Sequence, residues 1–133
     1  VKPEDADRFD ALLEEVIEML PEALHEIMAE TAVIVLDRPT PEMLRDLEME
    51  PDEAIDLCGL HTGVMATERS LEDSGVLPSQ IHLFREGIIA MAGGFGDSGS
   101  DDRVFAQIKI TLLHEIGHEF GLDEDQLREL GYD

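Results

Sequence analysis

One long helical period in the last third of the chain constrains most of what the rest can be. From Asp101 or Asp102 to about Phe120, the apolar residues Val104, Phe105, Ile108, Leu112 and Ile116 recur at helical spacing, so one face of this helix must pack on a core. Asp101 is expected to cap its N-terminus. Gly121 follows and suits the left-handed position that ends many helices. Asp123 then stands where a last short helix would be capped, with Gln126 as its capping-box partner. That helix would carry Leu127 and Leu130 and end at Gly131.

Upstream, residues 4–20 read as an amphipathic helix. Phe9, Leu12, Leu13, Val16, Ile17 and Leu20 share one face, and Glu14, Glu15 and Glu18 lie opposite. Pro21 interrupts it or starts a second helix, with Leu24, Ile27 and Met28 facing in and His25 at the surface. Ala32 to Leu36 is a continuous apolar run rich in β-branched residues and reads as a buried strand. Residues 41–57, acidic and containing Pro41 and Pro51, read as loop with short helical turns. Two further strands are expected. Gly59 to Thr67 has Leu60, Val64 and Met65 facing in, and Gln80 to Phe84 has Ile81 and Leu83 opposite His82 and Phe84. Ser70 to Pro78 is a loop between them. His61 and His82 read as structural or surface histidines. Residues 92–102 form a mobile surface loop by composition. They lack the Gly-Lys-Ser/Thr ending of a phosphate loop and the sixth-position glycine and twelfth-position glutamate of an EF-hand.

The chain is 133 residues long, room for one domain spanning residues 1–133, and it carries no internal repeat or linker. No apolar run approaches the ~18 residues of a membrane span. The segment Val1-Lys2-Pro3-Glu4-Asp5 has neither the basic nor the apolar region of a signal peptide, so a soluble cytoplasmic protein is expected. Cys58 is the single cysteine. Internal disulfides and cysteine-rich zinc sites are therefore excluded within one chain, and any metal must rely on histidine and carboxylate. The 32 acidic residues outnumber 9 basic ones, for a net charge of −23. Such a surface repels phosphate backbones and anionic membranes and would attract cationic partners; its plainest meaning is solubility or adaptation to salt.

The long helix carries chemistry. His114-Glu115-Ile116-Gly117-His118 is an H-E-x-x-H pattern. Histidines four apart lie on one helix face, one turn apart, and their imidazoles can share a metal ion. Glu115 projects beside that face, placed to accept a proton from water activated by the metal. Such a pattern arises by accident in roughly one chain in a few hundred of this length. The apolar neighbours Leu112, Leu113 and Ile116 argue further against accident, because partly buried histidines without a ligand are costly. A third ligand is needed. Asp123, Glu124 and Asp125 all lie within reach of a bend at Gly121, and Glu124 stands ten residues after His114, where the extended pattern puts its third histidine. Two histidines, a carboxylate and an open position make a catalytic rather than a structural zinc arrangement.

Residues 78–132 resemble a family of minimal bacterial zincin-like metallopeptidases, whose pattern reads H-E-x-x-H-x-x-G-x-x-D. The matching stretch runs from His114 through Gly121 to Glu124, with glutamate at the family's aspartate position. The tail from Leu127 to Tyr132 and the upstream run from Leu77 to Phe84 are also similar. So, more loosely, are Gly59-Leu60, the stretch from Thr67 to Ser70 and the acidic first helix. The methionine turn of metzincins is missing, since all six methionines precede the motif. The resemblance implies an α+β fold of minimal zincin type: a small mixed β-sheet packed with an active-site helix and an N-terminal helix. It implies zinc held by His114, His118 and Glu124, with Asp125 the nearest competitor of Glu124. It also implies a strand at Ile81 to Phe84 along which an extended peptide pairs. The expected activity is zinc-dependent hydrolysis of a peptide or protein, with Glu115 as general base, in a monomer that binds neither nucleic acid nor membrane. The other reading is a metal-binding but catalytically weak interaction module with an acidic surface, favoured by how few residues a chain this short can devote to specificity pockets.

Overall fold

The computed structural model describes residues 1–62, 80–119 and Asp125. Within them the chain forms α1 (Pro3–Met19), α2 (Glu22–Ala29), β1 (Ala32–Leu36), α3 (Pro41–Leu47), β2 (Gly59–Thr62), β3 (Gln80–Phe84), α4 (Arg85–Met91) and α5 (Ser100–Glu119). This is a small α+β fold. The expected strand residues Val64 and Met65, the loop Ser70 to Pro78, the cap at Gly121 and the last helix with Leu127 and Leu130 lie outside the described residues.

Helix α1 starts with Pro3 in its first turn, where a missing N–H costs nothing, and Glu4 and Asp5 complement its positive end. It ends at Pro21, which disfavours helical backbone at the residue before it; Leu20 is extended, with φ −67° and ψ 147°. Phe9, Leu13, Val16 and Leu20 are buried, and Leu12 and Ile17 pack beside them. Pro21 does start a second helix, α2, whose Leu24 and Met28 reach the same core. His25 is exposed and its Nε2 meets the Ile17 carbonyl oxygen at the end of α1. Thr40 caps the short α3 by accepting from the Met43 N–H, a helical turn within the expected loop.

The three strands form one sheet in the order β1-β3-β2. β3 runs parallel to β1 and antiparallel to β2. Two expectations change here. β1 is a half-buried edge strand rather than a buried one, because its one strand neighbour among the described residues is β3. Conversely, β3 cannot accept a peptide strand, since both its edges are already paired. The strand that borders the groove is β2.

Ile81 and Leu83 join Phe9, Val16, Ile108 and Leu112 in one core cluster, so α1 and α5 cover one face of the sheet. His82 and Phe84 occupy the other face, in the alternation expected of the strand. Leu60 pairs with His82 and so also faces away from the helices. The residues of β2 that face α5 are Gly59 and His61, contrary to the pattern-based expectation for Leu60.

Helix α4 has no strong sequence signal, being 7 residues long with an internal glycine. Tertiary contacts hold it. A Cβ on Gly87 would stand 2.0 Å from the Leu57 carbonyl oxygen, so the backbones meet there as only glycine allows. Arg85 grips both carboxylate oxygens of Asp10 at 2.9–3.0 Å and donates to Asp37 at 2.9 Å, tying α1 and the end of β1 to the β3–α4 junction. The glycine-rich stretch before α5 is braced by Arg103, which donates to the Ala92 carbonyl and to both oxygens of Asp97. Helix α5 begins at Ser100, so Asp101 and Asp102 lie in its first turn and Asp101 is not the cap. Val104, Ile108, Leu112, Leu113 and Ile116 are buried.

Candidate metal centre

The C-terminal half of α5 turns one face to the core and an adjoining face to β2. His114 and His118 are one turn apart and half-buried. Their Nε2 atoms stand 3.0 Å apart, with the rings inclined at 75° and centroids separated by 4.7 Å. Nitrogens bound to one zinc at ~2.0–2.1 Å can be no more than about 4.2 Å apart, so the two rings are within the span of a shared ion. A carboxylate oxygen of Glu115 completes a set of ligand atoms all within 4.8 Å of one another. Two imidazoles and a carboxylate form a donor set that suits a zinc-like divalent cation.

Glu115 is 7% exposed because β2 comes unusually close to the helix. A Cβ on Gly59 would lie 3.2 Å from Glu115 Cγ, 3.0 Å from Thr111 Cγ2 and 3.1 Å from the His82 carbonyl oxygen. The missing side chain at Gly59 is thus what lets the strand seat itself over the glutamate.

Two clefts flank this contact and share Gly59 and Glu115. One, of about 310 Å³, is lined by Gly59, Leu60, His61, Glu115 and His118. The other, of about 250 Å³, includes Cys58, Gln107, Thr111 and His114. A further cavity between α3 and the turn before β2, lined by Leu44, Ile55 and Leu57 among others, shares no residue with the histidines. Burial pushes the Cys58 thiol upward, as do the charges of Asp56 and Glu115, against a hydrogen bond with Thr111 that lowers it. Cys58 therefore stays a neutral thiol and stands outside the convergent set.

His114, Glu115 and His118 are thus brought together as the motif requires. Glu124 and Asp123 lie outside the described residues. Asp125 is exposed and helical, and among the described residues it does not join the convergent set. His82 is 6% exposed and on the far face of the sheet; burial pushes its imidazole below the usual range. Among the described residues its Nδ1 has no hydrogen-bond partner. His61 had no distinguishing sequence signal, yet it lines a cleft with Glu115 and His118. Gly59 could have been flagged as a glycine opening a strand, but the helix it admits was not visible locally.

A helix that carries two converging histidines with a buried glutamate between them, laid against a small mixed sheet, is the architecture of a zincin-like domain. A model of the zincin-like metallopeptidase family matches residues 28–132, and the chain belongs to that family. No curated protein matches it. Among the described residues no helix is long and apolar enough to cross a membrane.

Proposed function

We propose that the protein is a zinc-dependent peptidase in which His114, His118 and Glu124 hold the metal and Glu115 is the general base. The observation that carries this reading is the convergence of two half-buried imidazoles with a nearly buried carboxylate at the lip of an open cleft. Zinc, when bound, supplies a Lewis acid that polarises the peptide carbonyl and acidifies the attacking water. Glu115 takes a proton from that water as its oxygen bonds to the carbonyl carbon. It returns the proton to the nitrogen as the C–N bond breaks, and the second proton of the water follows, so that one water is consumed and a carboxylate and an ammonium leave. The seat of Glu115 beneath Gly59 limits its rotamers and keeps the carboxylate turned toward the cleft.

Among the described residues β2 pairs with β3 alone, which supports an extended peptide adding itself along the outer edge of β2. The net charge of −23 favours basic, unstructured segments as substrates. The test is cleavage of unstructured proteins, a basic one such as a histone and an acidic one such as casein, by the zinc-loaded protein, with the basic one expected to be cut faster. Chelator should abolish cleavage and zinc should restore it. Glu115→Gln should lower it by roughly 10²–10⁴-fold at unchanged metal content. Equal cleavage by wild type and E115Q, or none by the zinc-loaded wild type on basic and acidic substrates alike, refutes the reading.

A further inference from the structure

The wall of the cleft opposite the histidines belongs to β2, and its register assigns the facing side chain. The vacant Cβ direction of Gly59 points at Thr111 and Glu115. Side chains two apart on a strand share a face, so His61 points to the same side. Its pairing with Ile81, a core residue beneath the helices, agrees. From Gly59 to His61 the strand advances about 6.7 Å; from Glu115 to His118 the helix advances about 4.5 Å. Cys58 and Gly59 line one cleft with Thr111 and His114, and Gly59 and His61 line the other with Glu115 and His118, so β2 and α5 advance in the same sense and His61 shares a cleft of about 310 Å³ with His118.

Of the described residues lining that cleft, Glu115 and His118 are on the peptidase reading the base and a metal ligand, Gly59 and Leu60 carry no polar side chain, and His61 offers ring nitrogens. Among the described residues it is not part of the convergent ligand set, and its strand forms the facing wall of the cleft. A neutral imidazole carries one N–H in either tautomer.

We propose that His61, on the peptidase reading above, is a catalytic residue whose ring N–H donates to the oxygen of the scissile carbonyl as negative charge builds there. The work it does is electrostatic: a fixed donor aimed at the developing oxyanion.

The test compares wild type, His61→Phe and His61→Gln as zinc-loaded proteins. Metal content is measured first. Binding is then measured for a basic phosphinate peptide, whose tetrahedral phosphorus mimics the attacked carbon, and for the matching uncleaved amide peptide. H61F should hold as much zinc as wild type and bind the amide peptide within about twofold. It should bind the phosphinate roughly 10–100-fold more weakly, the effect of losing one hydrogen bond to a charged oxygen. H61Q, which keeps a donor, should recover much of that loss. On casein, kcat should fall in H61F by about 100-fold with KM little changed. Equal phosphinate binding by H61F and wild type, with wild type active, overturns the role of His61 alone. Loss of zinc from H61F also overturns it, by making His61 a ligand. A wild type that holds zinc but neither cleaves casein nor binds the phosphinate overturns the peptidase reading and this assignment together. Should H61F fail to fold, H61L and H61N make the same comparison.

Discussion

Gly59→Ala tests whether the close approach of β2 to α5 serves the glutamate or merely packs the domain. The new methyl carbon would stand 3.0 Å from Thr111 Cγ2, 3.1 Å from the His82 carbonyl oxygen and 3.2 Å from Glu115 Cγ. All three are tighter than ordinary contact but not impossible, so each neighbour must give by a few tenths of an ångström. The His82 oxygen belongs to the central strand and is the least able to move. The two side-chain contacts on α5 therefore take most of the shift. Overpacking of this kind costs about 1–3 kcal/mol, and the reduced freedom of the unfolded chain returns about 0.4–1 kcal/mol. The net loss is then about 1 kcal/mol, or a fall of about 3–5 °C in Tm for a domain of this size. A base displaced by ~1 Å can cost roughly 100-fold, so a shift of a few tenths of an ångström should lower the rate by roughly 3–10-fold. Thermal melts, zinc content and casein cleavage should be measured on the same preparations. The expected result is a small Tm shift, unchanged zinc and a fall in kcat of roughly 3–10-fold. Full activity in G59A would refute the argument that this contact orients Glu115. Loss of zinc with collapse of Tm would show that the contact supports the whole helix.

His114→Ala or His118→Ala should abolish tight zinc binding, since each removes one of two nitrogens that stand 3.0 Å apart; unchanged zinc by elemental analysis in the double substitution would remove the site from these residues. Glu124→Ala should weaken zinc by at least roughly tenfold, whereas Asp125→Ala should leave it unaltered, as titration against a zinc indicator would reveal; weakening in D125A alone would move the third ligand by one residue.

Much of the fold was legible because periodicity reports burial. The apolar faces of α1 and α5, the alternation of Ile81 and Leu83 against His82 and Phe84, and the Pro21 break all follow from residue spacing and local backbone sterics. The pair His114 and His118 was legible for the same reason: an interval of four residues within one helix is a distance, about one turn. The helix at Arg85–Met91 was not, because seven residues around a glycine have no local preference for it. Its support is the Leu57 backbone and the carboxylates of Asp10 and Asp37.

Strand order was beyond local reading. An apolar run such as Ala32 to Leu36 states that a strand wants cover, but not which neighbours provide it, and nothing local to Ile81–Phe84 shows that β3 is paired on both sides. The same holds for the site. The motif residues lie within five positions of one another, and the helix alone sets their separation. Gly59 and His61 lie more than fifty residues earlier in the chain than Glu115 and His118. Whether His61 faces solvent or the cleft turns on the register of β2 against β3, where a slip of one residue would reverse it. That register is decided by long-range packing of the sheet beneath α5, so the convergent histidine pair was written in the sequence, while the wall that faces it exists only in the folded chain.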